Sequence, residues 1–223
     1  DLCPLWDGDG HAYIIASNFG KYWFPHIYKM SSDGTQLLDG MIDDNCDVTK
    51  NIEIIGGYVV KPYRTAEANK LYKWNGMYYI YFSEVREIHG NKVRVPVMRR
   101  SKSIYGPYEE LLLMHSQGKL VDKEPNQGAI VDTEDGKWFF VTHHGTGDFD
   151  GRVLSVVPVC WKKGWPHIGQ NIDHDGVGEM VWELPKPISR EAAEFIQTSD
   201  DFNGDRLGHQ WEFNHQPRQE KWS

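Results

Sequence analysis

The side chains in this chain that are best suited to chemistry are carboxylates. Glu67 lies between the small, uncharged residues Ala66 and Ala68, shortly before a run of strand-forming residues, and Asp1 holds the matching place before an earlier run. Two carboxyl groups, one protonated and one ionised, are sufficient for glycoside hydrolysis. Burial of Glu67 would raise its pKa and let it act as the proton donor. The structural alternatives are a solvated loop glutamate and a frayed terminal aspartate.

A second set of side chains has the chemistry to bind a hydroxylated ligand. Gln127 precedes another strand-like run and offers both a donor and an acceptor. Of the adjacent His143 and His144 only one can face a pocket from a strand, and we take it to be His143. Arg152 offers a planar fork for hydroxyl groups, with a surface arginine as the alternative. Trp6 completes the set as a ring for stacking on a sugar.

Composition and missing motifs exclude several function classes. The chain has 32 acidic and 24 basic residues, a net charge of −8 and no basic run, which argues against a phosphate-binding groove and nucleic acid. No run of ~18 apolar residues is present, so we predict no transmembrane helix and no membrane partner. The serine-hydrolase elbow, the P-loop and the His-Glu-x-x-His motif are also missing. We predict no cofactor, and the histidine pair does not amount to a metal site.

Short runs of aromatic and β-branched residues between turn residues predict an all-β fold. Eight segments are predicted as strands: 12–16, 26–30, 71–74, 77–83, 93–100, 129–132, 138–143 and 153–160. Only residues 190–196 are predicted to be helical.

A repeated hairpin suggests how these strands are arranged. Asp9-Gly10, Asn75-Gly76 and Asp135-Gly136 each precede an aromatic strand, at spacings of 60 to 66 residues. Such dipeptides are typical of type I′ turns. A repeat of this length with several strands per unit favours four-stranded propeller blades over a sandwich. Chance repetition of a common turn is the alternative.

Taken in order, these segments resemble glycoside hydrolase family 43, whose members are five-bladed β-propellers that trim xylan and arabinan. The chain is most similar to its β-xylosidase and α-L-arabinofuranosidase members. Four segments carry the resemblance: 1–10, 67–79, 100–109 and 158–166. Leu2 and Ala68 depart from the family pattern, which has Pro and Gly at these positions.

The resemblance implies a role for each candidate residue. Glu67 matches the general acid, Asp1 the carboxylate that modulates its pKa, and Arg152 an arginine at the sugar. The family's general base is an aspartate that precedes the position where this sequence begins, and no residue here matches it. Gln127 stands where many members have a Gly-His-Gly element linked to substrate or metal. The expectation of no cofactor therefore holds here, and a structural calcium ion is the one metal left open.

The resemblance also implies a domain organisation and a substrate class. We expect an incomplete five-bladed propeller without its first blade over 1–188, a linker over 189–199 and the start of a truncated C-terminal β-sandwich over 200–223. The expected activity is inverting release of xylose or arabinofuranose from xylan, arabinoxylan or arabinan, in a secreted or periplasmic protein. The 223-residue chain alone is expected to be inactive.

Two other functions are weighed against this one. A non-catalytic carbohydrate-binding propeller is the main alternative, since Ala68 and the unmatched base both permit it. A protein-interaction propeller is disfavoured, because repeated Trp-Asp strand ends are missing.

Overall fold

The computed structural model describes residues 1–18, 24–42, 54–88, 90–114, 127–145, 152–169, 178, 199–208, 210–211, 218 and 220. The chain divides into two compact units, Asp1–Leu184 and Pro185–Ser223. All the strands described below lie in the first unit, and they confirm the all-β prediction. Among the described residues no helix is long and apolar enough to cross a membrane. The predicted helix over 190–196 lies outside the described residues.

The eight predicted segments all lie within observed strands. The strands are β1 (Leu2–Trp6), β2 (Ala12–Asn18), β3 (Phe24–Met30), β4 (Gly40–Ile42), β5 (Ile54–Gly56), β6 (Tyr58–Val59), β7 (Ala66–Trp74), β8 (Met77–Ile88), β9 (Asn91–Ser101), β10 (Glu109–Leu112), β11 (Gly128–Asp132), β12 (Trp138–Gly145), β13 (Arg152–Lys162) and β14 (Trp165–Ile168). Strand β7 begins five residues earlier than the predicted segment that starts at Leu71, so Glu67 lies inside the strand and not before it.

Twelve of these strands form three four-stranded antiparallel sheets. The first sheet has the order β1-β2-β3-β6, the second β10-β9-β8-β7 and the third β11-β12-β13-β14, while β4 pairs only with β5. In the second and third sheets the strands follow one another along the chain, whereas in the first the β4–β5 hairpin is inserted between β3 and β6. Antiparallel neighbours in this order have the up-and-down connection of a propeller blade. The number of blades in the whole propeller stays a prediction.

The second sheet is covered on both faces, which explains why every residue from Tyr78 to Glu84 in β8 is buried. Successive side chains of a strand point to opposite faces. Phe82 therefore packs in one core cluster with Ile15 of the first sheet, and Tyr81 packs in another with Phe140 of the third. The rings of Tyr81 and Phe140 lie 5.8 Å apart. The three sheets are thus stacked in the order of the sequence.

The repeated hairpin is present three times, but only one turn has the predicted type. Asn75 and Gly76 both have positive φ angles, 47° and 73°, as a type I′ turn requires. In the first hairpin Gly10 has a φ of 82°, whereas the φ of Asp9 is not positive. The same holds for the hairpin that contains Gly136. The prediction was wrong for these two because their longer loops need only the glycine in the left-handed region. A further pair, Lys163–Gly164, has φ angles of 51° and 73° between β13 and β14.

A buried carboxylate joins the first two sheets. Asp7, which follows β1, accepts hydrogen bonds from Lys73 Nζ of β7 and from the Tyr78 hydroxyl of β8. The side chain of Asp7 is fully buried. Burial acts to raise the pKa of Asp7, but the hydrogen bonds from Lys73 and Tyr78 outweigh it and hold the pKa below its usual value. Asp9 has the expected turn role, since its Oδ1 accepts from the His11 N–H at 2.8 Å.

Candidate active site

The structure brings Asp1 and Glu67 together through one hydrogen bond. Oδ2 of Asp1 accepts from the backbone N–H of Ala68, the residue after Glu67, at 2.8 Å. Glu67 is the second residue of β7, and its side chain is 24% exposed. The Asp1 carboxylate, before the first strand of one sheet, therefore contacts the peptide that follows Glu67 in the first strand of the next sheet. Glu67 is partly enclosed, so it is not a freely solvated loop residue.

A β-bulge in β7 sets the direction of Glu67. Glu67 pairs with Ser83 and Lys70 pairs with Tyr81, so that Ala68 and Asn69 together oppose a single residue of β8. Ala68 has a φ of 66° and is fully buried. A left-handed residue of this kind is typical of bulges, which redirect side chains next to active sites. Ala68 therefore adopts the backbone conformation for which the family pattern uses Gly.

The peptide groups that the bulge leaves unpaired have side-chain partners. Lys70 Nζ donates to the carbonyl oxygens of Ala68 at 3.1 Å and Asn69 at 3.2 Å. Asn69, which is fully buried, donates through Nδ2 to Ser17 Oγ at 2.8 Å. Ser17 Oγ in turn donates to the Ala66 carbonyl at 2.9 Å. Burial lowers the pKa of the Lys70 ammonium. These contacts fix the backbone on both sides of Glu67.

Arg94 provides a charged partner for Glu67 that the neighbouring sequence does not show. Its Nη1 lies 3.1 Å from Glu67 Oε1 and donates to the Ser83 carbonyl oxygen at 3.3 Å. Because Arg94 lies on β9, two strands from β7, its contact depends on the register of the sheet. The small neighbours of Glu67 in sequence gave no sign of this ion pair.

Gln127 and His143 lie together at the start of the third sheet. The carbonyl oxygen of Gln127, the residue before β11, accepts from the His143 N–H at 3.3 Å and from Thr142 Oγ1 at 2.7 Å. Gln127 immediately precedes β11, the first strand of the third sheet, just as Asp1 immediately precedes β1, the first strand of the first sheet. Arg152 is the first residue of β13 and pairs with Gly145, while its side chain lies outside the described part of the structure.

Trp6 lies away from the carboxylates. It is the last residue of β1, so five residues at a rise of ~3.3 Å place it about 16 Å along the strand from Asp1. Its Nε1 donates to the Ser32 carbonyl at 3.0 Å, and the residue is 58% exposed. The structure does not bring this predicted binding residue to Glu67.

A cavity of about 630 Å³ lies at the far end of β7 from Glu67. Trp74, Trp138 and Trp161 line it, and their ring centres are 4.3 to 5.6 Å apart. None of the predicted site residues lines this cavity. Since the three indoles come from the second and third sheets, we assign them to packing between sheets.

Among the residues that the structure describes, no three His, Cys, Asp or Glu side chains are grouped to hold a metal ion.

The sequence did not reveal four residues that support the candidate site: Arg94, Ser17, Asn69 and Lys70. Ser17, Asn69 and Lys70 support the left-handed backbone conformation at Ala68. The one sequence signal of that conformation was that Ala68 stands where the family pattern has Gly.

Comparisons with known proteins show the family of this chain. The family model of the glycosyl hydrolases family 43 matches residues 1–166. A relative from Xylanibacter ruminicola, whose name is that of a β-xylosidase, is 36% identical over all of this chain and 38% of its own length. The β-xylosidase of Formosa agariphila is 33% identical over all of this chain and 39% of its own length. The chain therefore spans about two fifths of the length of these relatives.

Solved structures show the same fold. One is a GH43 glycoside hydrolase engineered to display both endo-xylanase and exo-arabinofuranosidase activity. It is 26% identical with a TM-score of 0.63, over 92% of this chain and 35% of its own. The GH43 protein BlXynB from Bacillus licheniformis has a TM-score of 0.65 at 22% identity, over 93% of this chain and 37% of its own. Because the family model covers residues 1–166 and two relatives match the whole chain at 33% and 36% identity, the chain belongs to glycosyl hydrolase family 43.

Proposed function

We propose that this chain carries the general acid of an inverting exo-glycosidase that releases xylose from the ends of xylan-type glycans. Glu67 is the acid, and Asp1 is the second carboxylate that holds it in its working orientation. The observation that carries the proposal is the 2.8 Å hydrogen bond from Ala68 N–H to Asp1 Oδ2, because it places the second carboxylate beside the peptide of the acid.

In the proposed reaction, protonated Glu67 donates its proton to the glycosidic oxygen as the bond from that oxygen to the anomeric carbon breaks. Water attacks the same carbon from the opposite face, and a general base takes a proton from it. Inverting enzymes hold the two carboxyl groups roughly 6.5–9.5 Å apart to make room for this water. We place the base outside residues 1–223, and "the full-length protein" below means the protein that carries this chain together with that base.

The proposed substrate follows from the relatives and from the remaining polar residues. The two relatives that match the whole chain are both named as β-xylosidases. An α-L-arabinofuranosidase of Bacteroides ovatus matches less of it, at 29% identity over 70% of the chain. We therefore expect terminal xylose to be preferred over arabinofuranose. Gln127, His143 and Arg152 remain proposed sugar ligands. Because the proposed substrate is a polymer, we also propose that the protein is periplasmic or secreted.

The test is Glu67→Gln in the full-length protein. Loss of the proton donor is expected to lower kcat on xylobiose by on the order of 10²–10⁴-fold. The matched control is Glu134→Gln, the same change at an exposed glutamate in the turn between β11 and β12, which should leave kcat unchanged. Proton NMR of the first product tests inversion, since a β-xyloside should release α-xylose. Full activity of Glu67→Gln would refute the assignment.

The same experiment separates the non-catalytic alternative. A carbohydrate-binding propeller predicts xylo-oligosaccharide binding without hydrolysis in both wild type and variant. One reason for that alternative is weakened by the geometry, because Ala68 adopts a φ of 66° and so keeps the left-handed conformation available to Gly.

A further inference from the structure

We infer that Arg94 is a positioning residue for Glu67. By binding one oxygen of the Glu67 carboxyl group, Arg94 selects the other oxygen to deliver the proton. The inference rests on the proposed role of Glu67 as the acid. Its basis is the contact between Arg94 Nη1 and Glu67 Oε1, at 3.1 Å.

The register of the second sheet explains why an arginine is needed there. Glu67 lies opposite Ser83 of β8, and Arg94 lies opposite Val85 of the same strand. Residues two apart on a strand share a face, so these four side chains lie on one face of the sheet. Two strand spacings, about 9.5 Å, separate the backbones of β7 and β9. Only a long side chain can cross that gap to meet a glutamate.

A hydrogen bond to the backbone holds the Arg94 guanidinium in place, in addition to its ion pair with Glu67. Arg94 Nη1 also donates to the carbonyl oxygen of Ser83, which is fully buried, at 3.3 Å. The side chains of Arg94 and Glu67 are each 24% exposed, so most of the pair is removed from solvent. Partial burial reduces the screening that makes fully exposed pairs weak. The guanidinium is therefore held at a fixed point, from which it limits rotation of the Glu67 side chain.

Other cations near this site have different partners. Lys70 Nζ is bound to the bulge carbonyls of Ala68 and Asn69. Arg86 of β8 pairs with the carboxylates of Glu84, on the same strand, and Glu110, on the outer strand β10. Among the described residues, Arg94 is thus the cation that orients the carboxyl of Glu67, while the bulge contacts orient its backbone.

The direction of proton transfer follows from the chemistry of arginine. A guanidinium has five N–H donors and no acceptor. The oxygen that faces it, Oε1, must act as an acceptor and cannot direct a proton toward it. When Glu67 is protonated, the proton is therefore carried on Oε2, the oxygen turned away from Arg94. Arg94 fixes which oxygen donates and so aligns the acid with the departing sugar oxygen.

A leaving-group series in the full-length protein tests this role. Departure of an unsubstituted phenol from a β-xyloside depends on the proton donor, whereas dinitrophenolate leaves with little help. Arg94→Gln is expected to lower kcat on phenyl β-xyloside by on the order of 10–100-fold, and on dinitrophenyl β-xyloside by less than about 3-fold. KM should change little, because Arg94 acts through Glu67. Arg94→Lys, which keeps the charge on a shorter side chain, should give an intermediate loss.

The controls separate orientation from stability. Arg64→Gln makes the same change at an exposed arginine just before β7 and should leave both substrates unaffected. If Arg94→Gln folds poorly, Arg94→Lys and rescue of Arg94→Ala by added guanidinium ion supply the same comparison. An equal loss on both substrates, or no loss on either, would overturn the inference. If Glu67→Gln shows the leaving-group dependence and the Arg94 variants do not, only this inference fails. If Glu67→Gln shows none, the proposed function fails with it.

Discussion

The Asp1 carboxylate and the Ala68 peptide are joined by a hydrogen bond of 2.8 Å that connects the first strand of one sheet to the first strand of the next. Asp1 precedes β1 and Ala68 lies in the bulge of β7. One contact therefore links the position of the second carboxylate to the conformation that directs Glu67. The packing of neighbouring sheets and the geometry of the candidate site are fixed by the same atoms.

Substitutions of Asp1 should separate its charge from its hydrogen bond. In the full-length protein, Asp1→Asn keeps an oxygen that can accept from Ala68 N–H, whereas Asp1→Ala removes both charge and acceptor. We expect both to lower kcat on xylobiose by roughly 10-fold or more. In Asp1→Asn the negative charge near the acid is lost, and in Asp1→Ala the contact that orients Glu67 is lost as well. Only Asp1→Ala should also lower the free energy of unfolding, by about 1 kcal/mol. Urea unfolding monitored by tryptophan fluorescence measures the second effect.

The matched control for Asp1 is Asp9→Asn, which changes an exposed carboxylate at the other end of the first hairpin strand. Its activity should equal that of the wild type. Wild-type activity of Asp1→Ala would show that this carboxylate has no role in the reaction.

Glycine at position 68 should be tolerated far better than glycine at position 66. Ala68 and Ala66 are both fully or almost fully buried, but only Ala68 has a positive φ. In Ala68→Gly, relief of the left-handed strain, roughly 1–2 kcal/mol, offsets the lost methyl burial and the greater chain entropy of glycine. We expect its free energy of unfolding to change by less than about 1 kcal/mol, with activity retained.

At Ala66 there is no left-handed strain to relieve, so the lost methyl burial and the greater chain entropy of glycine are not offset. Ala66→Gly should lower the free energy of unfolding by about 1–2 kcal/mol. Ala68→Val, which puts a β-branched residue in the left-handed region, should lose more than about 2 kcal/mol. Equal destabilisation by glycine at both positions, measured by urea unfolding, would mean that the strain at Ala68 is not relieved.

The sheets were predictable because the sequence marks their strands directly. Aromatic and β-branched runs between turn residues are local signals, and all eight segments predicted in this way are strands. The first half of β7 carries no such signal, because Ala66-Glu67-Ala68-Asn69-Lys70 is poor in strand-forming residues. Contacts from Asp1, Ser17 and Arg94 hold it in place. Sequence reasoning therefore found the acid candidate but placed it before the strand and missed its bulge.

That Asp1 and Glu67 lie near each other was predictable from their matching places at the starts of neighbouring hairpins. The partner of Glu67 was not, because the contact with Arg94 depends on the register of β7, β8 and β9. Trp6 illustrates the same limit. Without a predicted strand over residues 2–6, nothing in the sequence showed that its ring would lie one strand length from Asp1.

Asp7 should make the stability of the protein sensitive to acid. Its pKa is lowered in the folded state, since the hydrogen bonds from Lys73 and Tyr78 outweigh the effect of burial. The native protein then binds fewer protons than the unfolded chain, so the contribution of Asp7 is fully present above the ordinary carboxyl pKa of about 3.9. It is lost as pH falls through the lowered value. Asp7→Asn should be clearly less stable than wild type at pH 7, with a difference that shrinks below about pH 4.

Urea unfolding of both proteins across this pH range measures the difference. Asp135→Asn is a suitable comparison, because Asp135 lies in the equivalent hairpin but pairs with Lys137 at an exposed position. Exposed pairs are screened by water and salt, so its effect on stability at pH 7 should be smaller. A pH-independent difference between wild type and Asp7→Asn would indicate that the carboxylate charge contributes nothing. The link between the first two sheets would then rest on packing and neutral hydrogen bonds, because the asparagine amide has nearly the shape of the carboxylate but carries no charge.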